Sequence, residues 1–156
     1  MKANMMLEQP FWKAKSLHEM TNKEWESICC RCGFCCLHRL NKKDSDDAYF
    51  TQVACRYLDL GTCLCTIYEN RFQIDKDCEK ITPNNLLALK WLPKFCGYRT
   101  VMEGRDLAWW HPLISGSSDT VHLAGISIKN KGITSENDII AGSLLKNLLT
   151  RILKKL

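Results

Sequence analysis

Cys29-Cys30-Arg31-Cys32-Gly33-Phe34-Cys35-Cys36 holds five thiols in eight residues, and this stretch decides how the rest of the chain is read. Its frame is C-x-x-C-x-x-C-C, with Cys30 as an additional thiol. Sulfurs two residues apart converge on one side of a tight loop, and Gly33 supplies the backbone freedom such a loop needs. This is metal-ligand spacing. Adjacent side chains diverge, so Cys35 and Cys36 can serve two metals, or one metal and a free thiol. The motif alone leaves the number of sites open.

Upstream, Thr21-Asn22-Lys23-Glu24 matches a capping box and predicts a short helix that carries Trp25 and Ile28 into the core and delivers Cys29 at its end. Phe11, Trp12, Leu17 and Met20 read as an apolar arm laid over the domain. Downstream, Asn41 to Asp47 reads as a solvated loop. Tyr49 to Val53 reads as a strand, continued by Ala54-Cys55-Arg56-Tyr57-Leu58 toward a turn at Gly61. In an extended Cys63-Leu64-Cys65 both sulfurs would project to one face. Thr82-Pro83 predicts a helix start, with Leu86, Leu87, Leu89 and Trp91 on its buried face and Pro93 as its stop. Cys78 and Cys96 flank that segment.

All ten cysteines lie between residues 29 and 96. Beyond them, Leu107 to Gly116 is aromatic and turn-rich, and Thr120 to Ser127 reads as an extended segment. Ser135-Glu136-Asn137-Asp138 is another capping pattern. Apolar residues from Ile140 to Leu156 then recur at helical spacing, with a basic end. We therefore expect an α+β fold: a small, coil-rich single domain of short helices and strands stapled by cysteine-bound metal, plus a C-terminal amphipathic helix. The expected division is 8–135 for the cysteine-cluster domain and 136–156 for that helix. The helix either packs on the domain or serves a protein partner or a membrane surface.

A chain of 156 residues, 46% hydrophobic, suits one domain with a modest core rather than two. No secretory leader or apolar run of about 20 residues is present, so a cytoplasmic location without a transmembrane segment is expected. In a reducing compartment ten cysteines read as ligands or redox thiols rather than disulfides. The formal charge of +5 counts every thiol as neutral. Eight thiolates around two divalent ions would bring it close to zero, so basicity here argues little for nucleic acid, and no basic stripe interleaved with aromatics adds to that case.

The chain resembles the YcgN-like family of small bacterial cysteine-cluster proteins, related to the YkgJ-type group described as zinc or iron chelators. Among the matching residues are Pro10-Phe11-Trp12-Lys13, the C-x-x-C-G-x-C-C core with Leu37-His38, Val53-Ala54-Cys55-Arg56 and Thr62-Cys63-Leu64-Cys65. The match continues in Asp77-Cys78, Trp91 to Cys96, Trp110-His111-Pro112-Leu113 and Val121-His122. The resemblance implies a metal set of Cys29, Cys32, Cys35, Cys36, Cys55, Cys63, Cys65, Cys78 and Cys96. Cys30 falls outside the pattern, and the basic end after residue 135 departs from it.

Clustered thiolates suit Zn²⁺ or iron, including an iron–sulfur cluster, since Cys29, Cys32 and Cys35 with one remote cysteine repeat the logic of a ferredoxin loop. No nucleophile, base and orienting acid stand in a recognisable order. The first reading is a chelator without catalysis, the second an iron–sulfur enzyme, the third an interaction module built on the C-terminal helix. His38, two residues past the cluster, is a candidate ligand or supporting donor. His111 and His122 read as structural, and Ser115 as a turn residue.

Overall fold

In a computed structural model, which describes residues 9–139 and 142–153, the cysteine loop opens directly into a hairpin. Strand β1 (Leu37–Asn41) pairs antiparallel with β2 (Ala48–Ala54), with a register shift between Leu37 and Arg39. The polar run between them is the exposed turn that its composition predicts. The strand at β2 matches the expected one, but it stops at Ala54, where Cys55 begins a turn. Two further short strands, β3 (Leu58–Asp59) and β4 (Leu64–Cys65), pair antiparallel. Strand β5 (Thr134–Ser135) lies parallel to the end of β2, so β2 is central in a sheet of order β1-β2-β5.

The helices are short. Helix α1 (Phe11–Ala14) and α2 (Asn22–Ser27) precede the loop, α3 (Arg71–Ile74) and α4 (Gly97–Met102) follow it, and α5 (Pro112–Ser115) and α6 (Thr120–Leu123) stand in the aromatic region. The Thr21 capping box forms in full: Thr21 Oγ1 accepts from Glu24 N at 3.2 Å, and the Glu24 carboxylate accepts from Thr21 N at 2.8 Å. That reciprocal pair starts α2 where the sequence places it.

Two apolar clusters flank the cysteine loop. One gathers Phe34, Leu37, Phe50, Trp110, Val121 and Ile128 around Cys30, Cys32 and Cys63. The other gathers Trp25, Ile28, Leu86, Leu89, Leu92, Tyr98 and Val101 around Cys96, with the Phe11, Trp12, Leu17 and Met20 arm packed against it as expected. An aromatic ladder crosses the first cluster, from Phe95 to Phe34 (5.3 Å between centroids), Phe34 to Phe50 (5.4 Å) and Phe50 to Trp91 (6.3 Å). The architecture is the α+β, coil-rich single domain expected.

Three local expectations are corrected. The segment after Thr82-Pro83 forms only a 3₁₀ turn at Leu86–Ala88, with Leu87 exposed rather than buried. Asn85 takes the Thr82 amide and donates to Lys80 O at 2.6 Å, folding the start into a knot instead of an extended helix. Thr120 to Ser127 is not extended: α6 forms, Thr120 Oγ1 donates to Trp110 O at 2.8 Å, and the chain turns at Gly125. Tertiary bonds here override β-branched propensity. Finally, among the described residues the periodic C-terminal segment is α-helical over α7 (Leu144–Thr150), preceded by a 3₁₀ turn at Glu136–Asp138. The expected helical positions 140, 141 and 154–156 lie outside the described residues. The residues after α7 add to the sheet: Gln52 N donates to Arg151 O (2.7 Å), Leu153 N donates to Phe50 O (2.8 Å), and Ile152 bridges Thr51.

Candidate metal centre

The loop itself brings Cys29, Cys30, Cys32, Cys35 and Cys36 together, and its shape depends on two residues in the left-handed region, Arg31 (φ 58°) and Gly33 (φ 83°). At Gly33 an added Cβ would stand 2.8 Å from the Ile128 side chain. Ile128 N in turn donates to Cys32 O at 2.9 Å. A side chain at position 33 would therefore strain the backbone and push Ile128 off the loop.

Remote cysteines reach the loop by two constructions. The first is the junction of Ile28 and Gly97. His111, fully buried, donates from Nε2 to Ile28 O at 2.9 Å, because its Nδ1 is the acceptor for Leu113 N at 3.1 Å and so carries no proton. Gly97 packs so closely there that an added Cβ would collide with the Ile28 carbonyl and lie 2.9 Å from His111 Nε2. Since Ile28 precedes Cys29 and Gly97 follows Cys96, this contact seats the two thiols in one neighbourhood. The second construction is the hairpin. Leu37 pairs with Ala54, which places the preceding Cys36 beside the following Cys55, and Cys55 N donates to Cys36 O at 2.8 Å. Pairing of Leu58 with Cys65 and the turn after α3 bring in Cys65 and Cys78.

The electrostatics divide the thiols in the same way. Burial, then neighbouring Cys30 and Cys35, push the Cys29 thiol well up. Cys32 is pushed well up too, first because it donates to Cys30 and then by burial, with Cys35 and Cys96 adding to it. Burial and the same neighbours raise Cys96 to about 12. In the second neighbourhood Cys36 is pushed far up by donating to Cys35 and by burial, with Cys55 and Cys65 close by. Cys55 rises to about 11 through burial; it donates to Asp75 Oδ2 at 3.6 Å. Burial raises Cys78, whose neighbours include Arg71, Asp75, Cys35 and Cys65. Cys35 belongs to both groups. The residue is exposed, and the neighbouring Cys36 thiol first, then the cations Arg39 and Arg71, lower its thiol to about 7.

Two of the cysteines stand differently from the rest. Cys63 takes a left-handed conformation (φ 58°), so Cys63-Leu64-Cys65 is not extended; its neighbours are Ser127, Lys129 and Asp59 instead of thiols. Cys30, outside the family pattern, is buried within the first group, where the neighbouring Cys32 thiol and the Gly97 backbone lower its thiol. Among the described residues no three His, Cys, Asp or Glu side chains stand as a closed ligand set. The thiols instead influence one another most strongly in pairs, Cys32 with Cys30 and Cys36 with Cys35. As a donor set, neighbouring sulfurs of this kind suit a soft cation that replaces the thiol protons.

The sequence match follows the same residues. Positions 28–97 match the CxxCxxCC family, described as "Putative zinc- or iron-chelating domain". A UPF0260 protein of Rhizobium etli is 53% identical over 134 residues, 86% of this chain and 84% of the relative. The chain belongs to the UPF0260 family. A UPF0260 protein of Rhizobium leguminosarum bv. trifolii is 54% identical over the same length, and one of Brucella canis 48%, covering 88% of the latter. No solved structure matches this UPF0260 chain.

Glu136, which the sequence did not single out as part of a site, completes the surroundings. Glu136 accepts from His38 Nε2 (2.6 Å), from Arg56 N (3.1 Å) and from Arg56 Nε (2.7 Å), clamping the turn that carries Cys55. Burial opposes its charge, yet Arg56 and His38 hold its carboxyl below the usual range. His38 thus supports the site through a carboxylate. His122 pairs through Nδ1 with Ser127 Oγ at 2.7 Å, beside Cys63, and Ser115 closes the α5 to α6 turn with Thr120 at 2.7 Å.

Proposed function

We propose that this UPF0260 chain chelates zinc or iron through two thiolate groups that meet at Cys35. Cys29, Cys32 and Cys96 form one, and Cys36, Cys55, Cys65 and Cys78 the other. The observation that carries the reading is that two independent constructions, the Ile28 and Gly97 contact and the Leu37 and Ala54 pairing, each bring remote thiols to the loop. Bound Zn²⁺ would supply folding energy, and an iron–sulfur cluster would supply one-electron chemistry. The chain's own part is to hold the sulfurs close and partly buried, and to release their protons as metal enters. The abundance of free thiols supports a cytoplasmic setting.

One observation favours an iron–sulfur enzyme as the second reading. A groove of about 580 Å³ is lined by Trp25, Glu26, Tyr68, Arg71, Phe72 and Lys80 among others. Tyr68 and Arg71 are also electrostatic neighbours of Cys29 and of Cys35 and Cys78. A protein partner at α7 has less room, because that helix packs on β1 and β2; among the described residues no helix is long and apolar enough to cross a membrane.

Anaerobic purification with elemental analysis and absorption near about 400 nm separates the metals, since iron bound by thiolate or sulfide absorbs there and d¹⁰ zinc does not. Stoichiometric metal, and loss of circular dichroism on chelation, are the expected results. Metal-free protein with unchanged structure and melting temperature would reject the chelation reading.

A further inference from the structure

A cavity of about 270 Å³ opens beside the cysteine loop, lined by Arg31, Thr62, Ser118, Asp119, His122 and Lys129 among others. Its residues come from separate stretches of the chain, and short contacts hold them in place. Ile128 N donates to Cys32 O at 2.9 Å, which brings their chain neighbours Lys129 and Arg31 to one rim. Thr62 is tied to Asp59 Oδ1 through its amide (2.7 Å) and its hydroxyl (2.9 Å). The buried Ser127 takes the Lys129 amide at 3.3 Å and pairs with His122 Nδ1 at 2.7 Å. That leaves Nε2 as the His122 ring nitrogen without a protein partner among the described residues.

The donors gathered there are unspent. Among the described residues neither the Arg31 guanidinium nor the Lys129 ammonium makes a hydrogen bond or an ion pair, and the Ser118 hydroxyl has no partner. Two cations and a hydroxyl around so small a cavity match an anion with several acceptor oxygens. One carboxylate, Asp119, lines the same cavity, and it too makes no side-chain hydrogen bond among the described residues. It repels an oxyanion that has lost every proton and can accept from one that keeps an O–H. Near neutral pH phosphate keeps such a proton and sulfate does not. We propose that this cavity binds a small phosphate, as the hydrogen phosphate ion or a phosphomonoester that retains one proton, with Arg31 and Lys129 taking the charge and Asp119 the proton. No sulfur takes part, so the site does not rest on the chelation reading.

Anaerobically purified protein, in a chloride buffer near neutral pH, is titrated calorimetrically with inorganic phosphate, with glycerol phosphate and with sulfate. Saturable binding of one equivalent is expected for phosphate or its ester, the tighter of the two naming the source, with sulfate about tenfold weaker or more. Arg31→Gln and Lys129→Gln are each expected to weaken phosphate binding about tenfold, and Asp119→Asn to narrow the gap between phosphate and sulfate. Lys43→Gln, which removes a charge from the exposed hairpin turn, controls for net charge. Circular dichroism checks folding, and Lys129→Gln with Asp119→Asn carries the test if Arg31→Gln fails to fold. A wild type that binds neither phosphate nor its ester saturably overturns the site. So does binding that Arg31→Gln and Lys129→Gln leave at the level of Lys43→Gln, the result expected of phosphate held by a thiolate-bound metal. Sulfate as tight as phosphate overturns the phosphate assignment and the part given to Asp119.

Discussion

The two thiol groups are built from different materials. The first rests on the interior: Ile28, Cys32 and Cys96 are buried, His111 is buried, and Gly97 leaves no space for a methyl group. The second rests on turns and two-residue strands, with Cys55, Cys65 and Cys78 only partly buried and a carboxylate, Asp75, bonded to one thiol. The proposed ligand groups are thus held once by packing and once by backbone pairing. Damage to the first should therefore reach the fold, and damage to the second should stay with the metal.

The largest effect is expected at the junction. Gly97→Ala forces a methyl group into the Ile28 carbonyl, and no flexible side chain is available to yield. We expect a loss of several kcal/mol, on the scale of about 3 kcal/mol or more for overpacking combined with a displaced backbone bond, with loss of metal at both groups. A melting temperature within a few degrees of wild type would show that the junction does not hold the first group.

A cysteine pair sharpens the contrast. Cys32→Ser should lower both bound metal and thermal stability, since Cys32 lies inside the core; Cys55→Ser should lower bound metal by about one equivalent while leaving the stability of the metal-free protein within roughly 0.5 kcal/mol of wild type. Elemental analysis beside calorimetry checks both. Equal thermal losses in the two variants would erase the distinction drawn here.

The smallest effect is a pH dependence. Burial pushes the His111 imidazole below its ordinary value of 6.5, and its bond to Ile28 O only partly offsets this. The unfolded chain therefore takes up a proton at higher pH than the folded one. The stability that His111 contributes is complete above about 6.5 and is lost as pH falls from there toward the depressed folded value. Chemical denaturation of metal-free protein between pH 7.5 and about 5 should show that decline, and His111→Gln should flatten it. An unchanged slope would place the titration elsewhere.

What the sequence revealed was local. The Thr21 box, the strand at β2 and the five-thiol loop are set by neighbours within a few positions, and these are where the structure places them. The periodicity after Ser135 was less informative, because a short helix that returns to a sheet has the same spacing as a longer one. Cys63 could not be told from Cys65 by pattern, since its left-handed backbone and its Ser127 neighbour come from packing 64 positions away. The Ile28, Gly97 and His111 contact joins three segments, and Glu136 reaches 80 and 98 positions back to Arg56 and His38. Neither left a local signature. His111-Pro112 did carry a usable hint, because an imidazole ahead of an N-terminal proline is placed to cap its own helix.

Strand β2 has β1 on one side, and among the described residues its other side is covered by 134–135 and 151–153. On a chain emerging from the ribosome every thiol is already outside, Cys96 included, long before that second side can be covered. In that interval the strand presents open donors and acceptors to any neighbouring nascent chain. Early capture of metal by the cysteine loop would tether the hairpin and shorten its exposure, so metal supply during synthesis should govern how much of the protein is recovered in solution rather than in aggregates.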